Sequence, residues 1–409
     1  TAVAFDIADS SGPTLITIDN EKDPGGTGSN VVIQGLIDNP TGRTVILTDG
    51  GTITDTSNGT IRTNALDMVA DAIGSLANRL DVELVRSVGW ATDMSADSGA
   101  GIYLDLTGRL RDSSATNALF DTSELSAGGD IDLLLNASVQ ETTPVGNVAG
   151  ITITVTQEAA PNSANYVHHF RPDNGSATAL DPAIYANTAL ATAVASSYDF
   201  GQLTAGDNII VKALDPAAGA TRIDVSAGTD ILDTGYLDFL TNGDIGITES
   251  AGDLRIFKIQ SNVGDVSLSA ADAVDGSIYD IRDSAADVGS TPWVIGNNID
   301  LRAEQGAIGF IDDFLDINSN GTVNAYAYDL LANDQGVFLK ETSGDLNIDA
   351  ILSQDGNVML VTLSGSILDA GSDDPTSLDF VNLADIQATT IDLVTTGGGV
   401  GTSANDVEI

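Results

Sequence analysis

The chain has 409 residues, with 15 Lys and Arg against 59 Asp and Glu, a formal charge of −44 and no cysteine. A field this negative repels phosphate backbones and anionic lipid, so nucleic acid and membrane insertion are not expected, and the missing thiols exclude disulfide frameworks, thiolate metal sites and cysteine nucleophiles. With 42% hydrophobic residues, the chain still has the means to build a core, which an acidic disordered segment lacks.

The acid divides into 50 Asp and 9 Glu, beside 43 Gly and 5% aromatics. Asp competes with a helical backbone and favours turns, whereas Glu suits helix surfaces. This composition predicts an all-β chain with many corners. No run approaches ~18 consecutive apolar residues. The start, Thr1-Ala2-Val3, has neither a Met nor a basic-then-apolar leader and reads as a processed or excised segment of an exported protein.

In chain order, a first module opens at Gly51-Thr-Ile53-Thr-Asp55, passes through Leu66-Asp67-Met68 and closes at Ile73-Gly74. The second runs Gly108-Arg-Leu110-Arg-Asp112, Ile131-Asp132-Leu133, Val145-Gly146. Residues 156–200 break the pattern with Pro161, Pro172, Pro182, His168-His169 and an Ala-rich run. They are expected to form an insertion in which Asp181-Pro182 starts a short helix reaching about residue 196.

The third module is Gly276-Ser-Ile278-Tyr-Asp280, Ile299-Asp300-Leu301, Ile308-Gly309. The fourth is Gly365-Ser-Ile367-Leu-Asp369, Ile391-Asp392-Leu393, Val400-Gly401. The tails after Gly74 and Gly401 share Ala-Asn and an acidic, alternating strand. A finer repeat, Gly-[Asp/Asn]-apolar-x-apolar, recurs at Gly129, Gly243, Gly252, Gly264, Gly344 and Gly356, with neighbouring turn glycines 9 or 12 residues apart.

Two such steps make a coil of about 21–24 residues, the rung of a parallel β-helix in which each coil buries its apolar face on the next. The expected organisation is a β-solenoid over residues 1–155, the insertion over 156–200, and a second solenoid part over 201–409. Coiled throughout, roughly 17 to 19 rungs would make a rod of about 85 Å. The rival is a string of antiparallel β-sandwich domains, which also turn every ~8–12 residues but call for linkers that the sequence does not show.

The order Gly-x-Ile-x-Asp, Ile-Asp-Leu, Ile-Gly-[Ser/Thr]-x-x-Asn resembles the repeats of large bacterial surface proteins of the filamentous-haemagglutinin-like, β-helical adhesin type. That resemblance covers most of residues 31–150 and 228–409. It implies export, a right-handed β-helix shaft, and adhesive or structural work. The Asn-Pro-Asn-Gly turn of that family's secretion domain is approached here only by Asn39-Pro40-Thr41-Gly42, which reads as a plain turn.

Asp316-Ile-Asn318-Ser-Asn320-Gly321 follows the first half of an EF-hand-type loop, but Ala327 stands where the bidentate Glu belongs. Asp316, Asn318 and Asn320 are therefore candidate calcium ligands, weighed against a tight turn between strands. Asp312-Asp313, Asp280 with Asp283 and Asp287, and Asp373-Asp374 are lesser acidic corners. The adjacent His168 and His169 point to opposite faces of a strand and make a poor metal pair. Trp90 and Trp293 read as core residues before they read as sugar platforms.

The function expected is an extracellular structural or adhesive shaft, calcium-stabilised, at the cell surface or in a matrix. Its partners would be further copies end to end, the continuation of a larger chain, or a surface glycan or other cell-surface ligand. Catalysis is not expected, since the few bases are scattered singly. The alternative is a carbohydrate-active β-helix enzyme, a polysaccharide lyase or hydrolase.

Overall fold

A computed structural model describes residues 15–20, 29–86, 92–110, 122–140, 153–154, 171–172, 192–232, 234–274, 276–281, 290–328, 336–370, 384–403 and 406–409. Among them the chain forms 33 strands, β1 (Leu15–Asn20) to β33 (Thr390–Thr395), and no helix. Thirty-one strands belong to one hydrogen-bonded sheet, which winds round an axis as a parallel β-helix.

The sandwich alternative needs antiparallel ladders. The antiparallel strand pairs among the described residues are β12 (Ser138–Gln140) with β15 (Thr192–Val194), and β13 (Ile153–Thr154) with β14 (Arg171–Pro172). Both border or enter the expected insertion. Thr192–Val194 corrects the end of the expected helix: Ala193 pairs with Val139, and the ladder satisfies backbone groups that a helix would otherwise satisfy. Residues 182–191 and both histidines lie outside the described residues. The stack runs on across this region, because Leu125 of β10 (Thr122–Ala127) pairs with Leu203 of β16 (Ser196–Ala205).

Strand alternation sends every second side chain to the axis, and parallel register stacks like upon like. One column reads Val31, Ile53, Ile73, Ile102, Ile131, Ile209, Leu237, Ile256, all buried in one core. Each such side chain contributes about 1.5–3 kcal/mol on burial.

A second column runs Ile18, Ile46, Met68, Ala96, Leu125, Leu203, Thr229, Glu249, Ala270, Ala303, Ala327, Ser353. Its twelve levels, at ~4.8 Å each, span about 53 Å. Apart from the step from Leu125 to Leu203, which carries the insertion, coils range from the 20 residues between Thr229 and Glu249 to the 33 between Ala270 and Ala303. The rung count expected from glycine spacing was therefore too high, since connections between strands consume residues.

Asp and Asn climb the corners. The Asp224 carboxylate accepts the backbone N–H of Asp244 at 2.8 Å, Asp244 accepts that of Asp265 at 2.8 Å, Asp265 that of Asn298 at 3.0 Å, and Asn298 that of Thr322 at 2.9 Å. Shorter ladders join Asp130 to Asn208 and Tyr236, and Asp345 to Ser366. At a corner the chain turns out of the strand ladder, and a carboxylate one methylene from the backbone reaches the N–H of the next coil. These corner acids thus have a structural role. Arg222 bridges Asp224 and Asp244, at 2.7 and 2.5 Å, and offsets their repulsion.

Candidate functional site

The repeated modules converge on one station. Ile53 lies on Ile73, Ile278 on Ile308 and Ile367 on Val400 in parallel pairing, so the Gly-x-Ile-x-Asp segment of each sits one coil before its [Ile/Val]-Gly step. The step glycines Gly74, Gly309 and Gly401 have φ of 63°, 65° and 66°. The second module's Val145-Gly146 lies outside the described residues. The motif aspartates Asp55, Asp280 and Asp369 are all buried.

In the first module, Asp55 on β4 (Thr52–Asp55) accepts the Asn78 amide at 2.7 Å and the backbone N–H of Asp81 at 2.9 Å. It fixes the turn that follows Gly74. Asp81 on β7 (Leu80–Arg86) stands in register with Asp105 on β9 (Ile102–Leu110), two carboxylates one above the other. They line a groove of about 350 Å³ with Glu83, Thr107, Arg109 and Asn136.

Loss of water pushes the Asp81 carboxyl up to about 6, helped by the charges of Asp55 and Asp105. Asp105 is also raised by burial, although the Asn136 amide holds it down in part. Glu83 is clamped between Arg62, at 2.9 Å, and Arg109. The groove therefore offers one carboxyl that exchanges a proton near pH 6 beside the Asp105 and Glu83 carboxyls and the Arg109 guanidinium.

The fourth module brings together Asp369, Asp385 and Glu408, whose carboxylate oxygens lie within 4.8 Å of one another. Asp385 accepts the Glu408 N–H at 2.8 Å, and burial pushes its carboxyl up to about 7. This all-oxygen set is of the kind that takes a hard divalent cation such as calcium. Three acids meeting at one point leave no sequence spacing by which to find them.

The sequence-derived calcium candidates fall as follows. Asp316 and Asn318 lie on β26 (Leu315–Ser319), two residues apart on one side of the strand, and Asn320 sits in the corner beyond it. Asp316 is fully buried and ion-paired with Lys340 at 2.7 Å. Asn320 is exposed, and its backbone N–H donates to Gly296 at 3.1 Å. Asp313 pairs with Phe310 in the turn after Gly309. Trp293 packs partly buried against the core; Trp90, Asp283, Asp287, Asp373 and Asp374 lie outside the described residues.

Sequence reasoning missed two glutamates inside the coil. Glu249 occupies a core column between Thr229 and Ala270, and Glu341 another between Ile317 and Thr362. Both are 0% exposed. Glu249 accepts Thr229 Oγ1 at 2.9 Å and the Ile231 N–H at 3.2 Å; Glu341 accepts Ser319 N–H and Oγ at 3.1 Å and the Ser343 N–H at 3.2 Å. Desolvation outweighs these bonds and pushes each carboxyl up to about 7. The signal was present as Glu-[Ser/Thr]-x-Gly-Asp-Leu at 249–254 and 341–346.

No protein-family model, no curated protein and no solved structure matches the chain.

Proposed function

We propose that the chain is a shaft segment of an extracellular structural or adhesive protein: a stalk, a filament subunit or the shaft of an adhesin. The observation that carries this reading is the unbroken stacking of side-chain columns from Ile18 to Ser353. Load along such an axis falls on many inter-coil hydrogen bonds at once. Cross-coil ion pairs reinforce them: Arg43 with Asp67 and Asp93, Arg62 with Glu83, Arg79 with Asp132, and Lys212 with Asp238.

The partners proposed are further copies or a longer continuation of the chain along the axis, and a glycan or other cell-surface ligand at the tip. Calcium is the proposed counter-charge, favoured by the −44 total and by the Asp369, Asp385, Glu408 cluster. An antibody to the folded rod should label intact cells of the source organism. Labelling that requires permeabilised cells would remove the extracellular reading.

A second reading, a polysaccharide hydrolase or lyase, is favoured by one observation: the Asp81–Asp105 pair in its groove. Two stacked carboxyls, one of them raised to about 6, are the kind of pair that glycosidic acid–base chemistry uses. Turnover of neutral or acidic polysaccharides that disappears in D81N would replace the shaft reading with this one.

A further inference from the structure

Asp316 on β26 and Lys340 on β28 (Gly336–Glu341) face each other in register on neighbouring parallel strands. Nζ lies 2.7 Å from Oδ1, and the side chains are 0% and 3% exposed for Asp316 and Lys340. Their strand neighbours Leu315, Ile317 and Leu339 belong to the axial core, so the pair lies on the other side of the wall. Two residues earlier on that side, Phe314 and Phe338 meet edge to face, 6.2 Å apart at 89°, and both are buried. An amine and a carboxyl are thus held together in a buried seat beside two aromatic rings.

Two opposite charges in such a seat each forgo hydration, which their attraction does not always restore. Passing the ammonium proton to the carboxylate leaves a neutral amine against a neutral acid. Desolvation works toward that state and the attraction within the ion pair works against it. Reactants held at contact distance also need no bimolecular encounter.

We propose that Lys340 and Asp316 are joined by an intramolecular amide bond that staples neighbouring coils. The Nζ lone pair attacks Cγ of the protonated Asp316 carboxyl and a C–N bond forms. The C–O bond to the hydroxyl breaks, and that hydroxyl leaves as water with one proton from Nζ. The step is a condensation and needs no oxidant or second substrate.

The proton relay in this proposal is a second carboxyl, Asp280. Asp280 is 2% exposed on β23 (Ile278–Asp280), which packs against β26. Its first-module counterpart, Asp55, accepts the backbone N–H of Asp81, the counterpart of Asp316. Opposite Asp81 the first module has Asp105 rather than an amine, so the staple belongs to the third module.

The test is the intact mass of the full, denatured chain. It should fall short of the sequence mass by one water, and proteolysis should yield a branched peptide joining the segments around Asp316 and Lys340. K340R and D316A should each restore the full mass, and D280N should slow the loss. A wild-type chain that keeps its full mass after prolonged incubation would overturn the proposal, as would equal water loss in K340R. Water loss at the wild-type rate in D280N would overturn the relay. Should the variants fail to fold, the wild-type peptide map decides.

Discussion

Gly74 and Gly309 share one backbone conformation, and at each an added Cβ would strike the carbonyl oxygen of the next coil, Tyr103 at 2.2 Å and Phe338 at 2.3 Å. The left-handed φ and the close approach together explain why the module step is Ile-Gly at both. G74A and G309A should each destabilise the rod by about 2–4 kcal/mol in denaturant melts. Gly252 has φ of 73° with open space around it, so G252A should cost about 1–2 kcal/mol, the conformational part only. Equal costs at the three positions would show that the contact with the next coil is unimportant.

Ile102 is fully buried in its column between Ile73 and Ile131. I102A should cost about 2–5 kcal/mol, whereas V32A, at a residue 48% exposed, should stay within about 0.5 kcal/mol. Thermal or urea unfolding measures both.

Glu249 and Glu341 set a pH dependence. Their carboxyls are raised to about 7 in the fold, above their value in an unfolded chain, so the folded rod binds protons that the unfolded chain has released. Their contribution to stability is fully present below the unfolded value and is lost as pH rises through about 7. A carboxyl whose pKa stands one higher in the fold than in the unfolded chain contributes about 1.4 kcal/mol. The charged neighbour acting on Glu249 is Asp230, which pushes in the same direction. Wild-type melting temperature should fall between pH 5 and 8, and the E249Q/E341Q double variant should show a flatter profile. Parallel profiles would refute the assignment.

Asp385 gives calcium a pH signature. With its carboxyl raised to about 7, a cation at Asp369, Asp385 and Glu408 must displace a proton below that pH. Calcium should raise the melting temperature more at pH 8 than at pH 6, beyond a matched monovalent-salt control. D385A should reduce the gain. Calcium and control melts that coincide at both pH values would discard the ion.

The architecture was legible because the features that build it are local and recur. Ile53-Thr-Asp55 and Ile73-Gly74 mark the same station that Ile278, Asp280, Ile308 and Gly309 mark two modules later, and a stacked coil repeats its sequence wherever it repeats its shape. The length of each coil was less legible, because the 33 residues from Ala270 to Ala303 include connections that carry no period.

The site residues were harder to read for a physical reason. Asp265 in a corner ladder, Asp316 in a buried ion pair and Asp385 in a three-acid cluster are the same letter in similar surroundings of sequence. Their roles differ through neighbours one coil away. Asp316, Asn318 and Asn320 alternate with Ile317 and Ser319 on a strand that runs into a corner, and this geometry also generates the spacing of a cation-binding loop. Glu249 and Glu341 passed unnoticed because a Glu among strand residues reads as solvent-facing until the register shows Ala270 or Ile317 beside it.

Register also makes the length of the shaft adjustable. Because Val225 pairs with Ile245 and Ile245 with Val266, excising residues 244–264 would set Val266 on Val225 and return Asp265 to the place of Asp244, with cross-section and corner bonds preserved. Duplication of the same segment would extend the rod by one rise. Gain or loss of whole turns can therefore set the length of the rod, while a cut of intermediate size inside a strand would break the register of that coil.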